Sequence, residues 1–396
     1  MPPRAVKRKK LSEPESPAND AAATTYGDKH AAFTAWSKER GVEIRNAKPA
    51  QLPGRGLGLV TTAKIKPGAR ILFVPEKAMF KPDKSVPNAS PQAQLAISAM
   101  KACKATDSGM STWAATWPTD SDFEHSMPMR WPAYLRDLLP PAVEQPLRRQ
   151  EEDYAKDVEA VRDLLAAGGY SEDDFRYYWS IVNSRSFHWK PPKGKAGSMV
   201  MCPFIDYINH APSGTTCDVF QRANGYEVVA DRNYEILATY GAHSNDKLLV
   251  HYGFVCASDP KTPNHDDDIR LDHILLPALT PAVRTQLQDV GFLGGYALLP
   301  ATNELCFKTQ VTVRAMLLTC NEWEYYVANG EDLGEDHSGA VKKFVEPLLR
   351  RYWDEASASF DCVAQRRKQM PAEAGELALL ETRWSQIAHA LQKLLT

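Results

Sequence analysis

Several features that mark particular classes of protein are missing from this sequence. It contains no run of about 20 apolar residues, the length that a membrane-spanning helix needs. The 47 Lys and Arg residues nearly balance the 49 Asp and Glu residues, and a formal net charge of -2 gives no general field for holding nucleic acid or a membrane surface. The N-terminus is basic and then polar, without the apolar core of a secretory signal peptide. We therefore expect neither a membrane partner nor a direct nucleic-acid partner.

Paired cysteines are also missing. The seven cysteines are odd in number and scattered, and no two of them are separated by only two residues. This pattern argues against a disulfide framework and favours reduced thiols inside the cell. We expect the protein in the cytoplasm, the nucleus or both.

The sequence offers no convincing set of metal ligands. Cys256 and His265 are nine residues apart, and two such ligands do not make a tetrahedral zinc site. Asp266 to Asp268 follow them, and we expect these residues to form a solvated acidic loop. No bound metal is expected.

What is present is the composition of an ordinary globular protein. Hydrophobic residues make up 43% of the chain and charged residues 24%. A chain of 396 residues is long enough for two domains with sizeable cores.

The first 28 residues differ from the rest, because they are rich in Pro, Ser, Ala and charge and too poor in apolar side chains to fold alone. We expect residues 1–28 to be a disordered tail. A basic cluster in this tail fits either a solvated surface or a nuclear import signal. Its members are Arg4, Lys7, Arg8, Lys9 and Lys10.

Residues 29–257 show β patterns on both sides of a helical stretch. Between residues 88 and 182, apolar side chains recur at spacings of three and four, which predicts a helical insertion. A short helix is predicted before it, at residues 31–40. Strands are predicted at residues 59–62, 70–74, 199–204, 217–220, 226–230 and 236–240.

Residues 258–396 are predicted to be a second, helical domain. Two apolar stripes at helical spacing need a partner surface for burial. One comprises Val341, Phe344, Val345, Leu348, Leu349, Tyr352 and Trp353, and the other Leu377, Leu380, Trp384, Ile387, Leu391 and Leu394.

Five short motifs occur in order along the middle of the chain. They are Gly54-Arg55-Gly56-Leu57-Gly58, Asn183-Ser184-Arg185-Ser186-Phe187, Asn209-His210, Tyr240-Gly241 and Tyr252-Gly253-Phe254. The glycine-rich motif precedes Leu-Val-Thr-Thr and a Pro-Gly turn, not a helix. It therefore lies between β elements, where glycine lets the backbone approach a ligand closely, and differs from a phosphate-binding loop.

Together these motifs resemble the SET-domain methyltransferases, most nearly the branch that methylates lysine in the Rubisco large subunit and in ribosomal proteins. The resemblance implies an α+β fold: a SET-domain β fold with a pseudoknot and a helical insertion at about residues 88–182, and a C-terminal all-α substrate-binding domain. The SET domain would span residues 29–257 and the helical domain residues 258–396.

Tyr240 has the chemistry that lysine methylation needs. The attacking amine must be neutral, whereas free lysine has a pKa of about 10.4 and is protonated at pH 7. A tyrosine hydroxyl can accept or donate a hydrogen bond while it stays uncharged, so it can orient the amine. The resemblance implies that Tyr240 is this catalytic residue.

The resemblance also implies S-adenosyl-L-methionine as the methyl donor. Its partners would be Arg55, Gly56, Leu57, Arg185, Asn209, His210, Tyr240, Tyr252 and Phe254, and the substrate would meet Asp206 and Phe187. The guanidinium of Arg185 suits the cofactor carboxylate, because it can bind it through two hydrogen bonds. For Asp206, capping of the following turn is an alternative role.

The expected function is therefore methylation of a lysine in a non-histone protein, a ribosomal protein or translation factor, by a monomer. Two alternatives stay open. Some relatives accept imidazole, so the substrate side chain could be histidine. The turn at Asp231-Arg232-Asn233-Tyr234-Glu235-Ile236 is shorter than is usual in the family, which would suit a weakly active SET-like protein-binding module.

Treatment with a chelator should leave both fold and activity unchanged, because no set of four metal ligands can be drawn from the sequence. The measurement is the melting temperature and the methyl-transfer rate before and after dialysis against EDTA. Stoichiometric zinc in the purified protein would show that the cysteines had been misread.

Overall fold

The computed structural model describes residues 20–105, 109–191, 197–212, 217–230, 235–256 and 264–396. Within these ranges the fold is α+β, as predicted. The basic cluster and Asp231 to Tyr234 of the shortened turn lie outside the described residues. None of the described helices has both the length and the apolar character needed to cross a membrane.

The elements follow the predicted order of β, helical, β and helical segments, but the last segment is not all-α as predicted, because it also contains a small three-stranded sheet within residues 269–305. The strands are β1 (Glu43–Ile44), β2 (Ala47–Leu52), β3 (Gly56–Thr61), β4 (Ala69–Pro75), β5 (Ser186–Trp189), β6 (Ser198–Met201), β7 (Asn209–His210), β8 (Asp218–Arg222), β9 (Gly225–Ala230), β10 (Glu235–Ala238), β11 (Ile269–Arg270), β12 (Ala297–Leu299) and β13 (Glu304–Leu305). The helices are α1 (Asp20–Glu39), α2 (Pro91–Lys104), α3 (Met110–Ala114), α4 (Asp120–Ser126), α5 (Ala133–Arg136), α6 (Pro141–Gly168), α7 (Glu172–Arg185), α8 (Asn245–Tyr252), α9 (Asp272–Leu275), α10 (Pro281–Asp289), α11 (Phe307–Leu317), α12 (Cys320–Asn329), α13 (Ser338–Gln369) and α14 (Ala374–Leu395).

The largest sheets of the described structure are two four-stranded ones, with strand orders β1-β4-β9-β8 and β2-β3-β10-β7. Strands β5 and β6 form a two-stranded sheet, and β11, β12 and β13 a three-stranded one. The glycine-rich turn joins β2 to β3, between β elements as predicted. Strand β10 pairs antiparallel with β3 and parallel with β7, which sets Leu237 opposite Asn209 and Ala238 opposite His210. The Asn-His motif therefore lies beside the strand that leads to Tyr240.

Helices α2 to α7 form the predicted insertion between β4 and β5. Two of them begin at serine caps that the sequence supplies: Ser90 accepts a hydrogen bond from Ala93 N, and Ser171 forms a capping box with Asp174. Helix α1 covers residues 31–39 of the predicted helix at 31–40 and begins earlier, at Asp20.

The two predicted C-terminal stripes are largely buried and lie on α13 and α14, which pack against each other. The same hydrophobic cluster includes Trp131, Leu135 and Val143 of the insertion and Leu249 and Val250 of α8. The C-terminal helices therefore share one core with the preceding part of the chain.

Asp266 to Asp268 do not form the solvated loop that we expected. Asp267 is 7% exposed, and its Oδ2 accepts a hydrogen bond of 2.7 Å from Nη1 of Arg383. The cation lies 116 residues further along the chain, so no local pattern could reveal it.

Deletion of residues 262–396 should yield an aggregating protein. It would uncover the cluster members in the insertion and α8, each stabilised by roughly 1.5–3 kcal/mol through burial of a large apolar side chain. The soluble fraction after expression and the binding of a hydrophobic dye measure this, with the full chain as control. A soluble fragment with a cooperative melting transition would contradict the shared core.

Candidate active site

Tyr240 follows β10 and is held at both its backbone and its hydroxyl. Its hydroxyl donates a hydrogen bond of 2.9 Å to the carbonyl oxygen of Ile208, and its backbone N–H donates to Nδ1 of His210 at 3.1 Å. Since Nδ1 accepts, the proton of the neutral imidazole lies on Nε2. That atom is buried without a hydrogen-bond partner among the described residues.

Aromatic side chains surround Tyr240. The ring of Tyr252 lies 5.0 Å from it and that of Phe254 6.4 Å, at an angle of 80°. His210 contacts both Tyr240 and Phe254, with centroid distances of 5.2 and 5.9 Å. Between Tyr252 and Phe254, Gly253 ends α8 with a φ of +74°. A Cβ on this glycine would lie 2.7 Å from Ser126. Glycine thus lets the chain reverse so that both aromatic rings reach Tyr240.

Asp206 supplies a carboxyl group with an unused oxygen. Oδ2 accepts a hydrogen bond of 2.8 Å from the indole N–H of Trp113, whereas Oδ1 is buried without a partner in the described structure. Burial raises the pKa of Asp206 to about 6, against the opposing effects of the Arg185 charge and the Trp113 hydrogen bond.

A strained residue and a rigid aromatic cluster support Asp206 from behind. Phe204 is fully buried with a φ of +75°, a conformation that costs a bulky residue on the order of 1–3 kcal/mol. It packs edge-on against Tyr207 at 5.2 Å, and Phe33 of α1 stacks on Trp113 at 5.8 Å. Asp206 lies in a single helical turn, Ile205–Tyr207, which directly follows Phe204.

Burial keeps the central groups uncharged at neutral pH. It raises the pKa of Tyr240 to about 12 and lowers the pKa of His210 to about 4. The pKa of Tyr252 is also raised by burial. Each of these three residues is nevertheless partly exposed.

The glycine-rich motif lies against the Asn-His motif. A Cβ on Gly58 would fall 2.8 Å from Nδ2 of Asn209, so only glycine fits there. Asn209 donates a hydrogen bond of 3.3 Å to Glu235, which also pairs with half-exposed Arg55 at 3.1 Å. Beyond the undescribed turn residues, Glu235 pairs in register with Val60 of β3.

The predicted site residues thus fall into three groups. Tyr240, Tyr252, Phe254 and His210 are in ring contact, and Asp206 and Arg185 are close enough to shift the pKa of Tyr240. Arg55, Gly56, Leu57 and Asn209 meet at the β2–β3 turn and in the sheet of β7 and β10. Phe187 lies on β5 and packs against Tyr226 at 5.7 Å.

Sequence reasoning missed two members of the site. Trp113 lies in the helical insertion, and its indole holds Asp206 from 93 residues away. The carbonyl of Ile208 is a backbone group and has no sequence signal. Aromatic residues next to Pro in the insertion were visible, but nothing marked one of them as a partner of the site.

Several features of the site fit S-adenosylmethionine. The buried Nε2 of His210 lacks a partner, and a Cβ on Gly56 would meet nothing within 4 Å. Arg185 donates to Ser184 Oγ at 3.1 Å and forms no ion pair among the described residues, so it can still receive a carboxylate. A separate cavity of about 290 Å³ lies in the C-terminal domain, with walls that include Arg314, Val341 and Leu394. None of the predicted site residues lines it.

Known proteins resemble this chain in sequence and in fold. No family model matches the chain. It is 20% identical to the human protein "SET domain-containing protein 4" over 89% of this chain and 87% of that protein. It is 26% identical to "Ribosomal lysine N-methyltransferase set11" of Schizosaccharomyces pombe, over 48% and 47% of the two chains. The solved structure of Rubisco LSMT bound to AdoMet has a TM-score of 0.61 at 17% identity, with 93% of this chain and 92% of that chain covered.

The SET-domain fold predicted from the motifs is therefore confirmed, including the C-terminal helical region. The chain is similar to SET-domain lysine methyltransferases of the branch that contains these proteins. The pseudoknot threading, the domain boundaries and the individual residue roles stay predictions.

Replacing Asp206 by Asn should stabilise the protein at pH 8. The folded pKa of about 6 lies above the ordinary value of 3.8, so the folded state binds this proton more tightly. The associated stability is fully present below pH 3.8 and is lost as pH rises through 6. Above that pH the buried charge costs about 2–3 kcal/mol, which the amide avoids. Urea unfolding at pH 8 and pH 5 should show a gain that shrinks at the lower pH.

Asp157 provides the matched control, because it also accepts from an indole N–H. Its Oδ2 accepts from Trp179 at 2.9 Å and from Ser90 Oγ at 2.8 Å, and its Oδ1 accepts from Ser90 N at 3.2 Å. An amide there would set its NH₂ against a donor, so Asp157→Asn should destabilise at both pH values. Equal losses in the two variants would mean that the Asp206 carboxylate is fully satisfied.

Proposed function

We propose that this chain is an S-adenosylmethionine-dependent protein-lysine N-methyltransferase whose substrate is a non-histone protein, such as a ribosomal protein or a translation factor. The observation that carries the proposal is that the aromatic side chains of Tyr252, Phe254 and His210 all pack against Tyr240, whose hydroxyl is uncharged. The similarity to the ribosomal lysine N-methyltransferase set11 supports a ribosomal target, and the similarity to LSMT bound to AdoMet supports the cofactor.

We assign the cofactor to two groups of residues, one for each end of the molecule. S-adenosylmethionine supplies an electrophilic methyl group on a positively charged sulfur. Arg185, Asn209 and the backbone of Arg55, Gly56 and Leu57 would hold its amino-acid part. His210, Tyr252 and Phe254 would hold its adenine ring, since they offer a free N–H and apolar ring surfaces.

The Tyr240 hydroxyl is prepared to orient an amine. Because its proton is donated to the Ile208 carbonyl, its oxygen lone pairs are left to accept an N–H of the substrate lysine. The pKa of about 12 keeps this oxygen neutral, so it does not hold the amine in its charged form. Accepting the N–H directs the nitrogen lone pair along the transfer axis.

The remaining groups favour a neutral lysine in the site. Tyr252 and Phe254 exclude water from the amine, and desolvation lowers a lysine pKa. Oδ1 of Asp206, which lacks a partner in the described residues, can accept a proton from the entering ammonium group. With a pKa of about 6, this carboxyl is ionised and ready at pH 7.

The proposal is tested by incubating the purified protein with labelled cofactor and a cell extract that contains ribosomes. Label should appear in protein, and mass spectrometry of the labelled peptide should place the methyl group on lysine. A methylated histidine would replace the lysine assignment. Binding of protein without turnover would replace the enzyme with a binding module.

Tyr240→Phe should reduce methyl transfer by on the order of 10²–10³ while cofactor affinity stays nearly unchanged, because one hydrogen bond to the reacting amine is lost and the ring is kept. Initial rates with labelled cofactor and calorimetric titration of the cofactor measure the two quantities. The control is Tyr177→Phe, which removes a similar hydroxyl that donates to the Pro118 carbonyl at 3.0 Å. Similar methyl-transfer rates for the two variants would show that the Tyr240 hydroxyl takes no part in the reaction.

A further inference from the structure

We infer that α14, the last helix of the chain, positions the aromatic wall of the active site through Arg383 and Gln386, a role that rests on the proposed function. The hydrogen bonds of both residues go to groups outside the ring cluster. They act on the segment of residues 245–256, here called the wall segment, which carries Tyr252 and Phe254.

Arg383 fixes the start of the wall segment. Its side chain is fully buried, and Nε and Nη2 donate to the two carboxylate oxygens of Asp246 at 2.7 and 2.8 Å. Its Nη1 donates to Oδ2 of Asp267 at 2.7 Å. Asp246 lies in the first turn of α8, so a bidentate pair sets both the position and the rotation of this helix.

Gln386, one turn along α14, fixes the end of the wall segment. Its Nε2 donates to the carbonyl oxygen of Cys256 at 2.7 Å, two residues beyond Phe254. Its Oε1 accepts from Nδ2 of Asn245 at 2.9 Å, and Asn245 Oδ1 accepts the backbone N–H of Cys256 at 3.2 Å. One helix turn of α14 therefore binds both ends of the wall segment.

These contacts at both ends of the wall segment affect catalysis because α8 leads directly to Tyr252 and Phe254. Tyr252 is the last residue of α8, and Phe254 follows the glycine cap. A rotation or shift of this short helix moves both rings relative to Tyr240. Misplacement of reacting groups by about 1 Å can cost on the order of a hundredfold in rate. Arg383 and Gln386 are thus positioning residues.

The test compares two conservative variants of buried arginines. Arg383→Lys keeps the charge and loses the bidentate geometry. Arg314→Lys is the matched control, because Arg314 is 2% exposed and binds Asp332 through two hydrogen bonds of 2.6 and 2.7 Å, away from the wall segment. Gln386→Met is added because Gln386 is only half-buried, so this variant is expected to fold.

Two readouts separate positioning from stability. Hydrogen exchange of the cofactor-free protein should be faster by on the order of tenfold in residues 245–256 for Arg383→Lys and Gln386→Met, but unchanged there for Arg314→Lys. Well below the melting temperatures, kcat should fall by on the order of tenfold or more in the first two variants only, since their rings are misplaced.

The inference is overturned if Arg383→Lys and Arg314→Lys show the same exchange in residues 245–256 and the same kcat. It is likewise overturned if Gln386→Met leaves both quantities at wild-type values. Lack of methyl transfer by the wild-type protein would instead reject the proposed function. The exchange comparison still decides in that case whether α14 holds the wall segment.

Discussion

The candidate site depends on the parallel pairing of two very short segments. Asn209 and His210 lie opposite Leu237 and Ala238, and this pairing brings the Asn-His motif to Tyr240. Two residue pairs would fix a register only weakly, since a slip of one residue reverses every side chain. Side chains and backbone therefore reinforce it: Glu235 accepts from Asn209, His210 accepts from the Tyr240 N–H, and the Tyr240 hydroxyl reaches back to Ile208.

The electrostatic character of the site follows from burial more than from charge pairing. Desolvation is the largest influence on the pKa values of Tyr240, His210 and Asp206, and each shift favours the neutral form. A pocket of this kind suits a reaction in which an amine must lose its charge beside a positive sulfur. The carboxyl of Asp206 is the exception, because its pKa still lies below neutrality and it remains an acceptor for a proton.

Much of the fold could be predicted, because its signals are local. The order of motifs, the alternation in the strands and the apolar stripes of α13 and α14 each depend on neighbouring residues. What could not be predicted depends on partners distant in sequence. Asp267 is indistinguishable from a solvated acid until Arg383 is placed beside it, and Trp113 resembles other insertion aromatics until its indole reaches Asp206.

The long separation in sequence between Arg383 and its two carboxylates has a consequence for synthesis of the protein. Until the ribosome has added Arg383, Asp246 and Asp267 have no cation to pair with, and two buried carboxylates without one are strongly unfavourable. The N-terminal part can begin folding early, as domains usually do. Its site, however, can be complete only once Arg383 has been added, so a polypeptide that ends before Arg383 should lack the contacts that hold the wall segment.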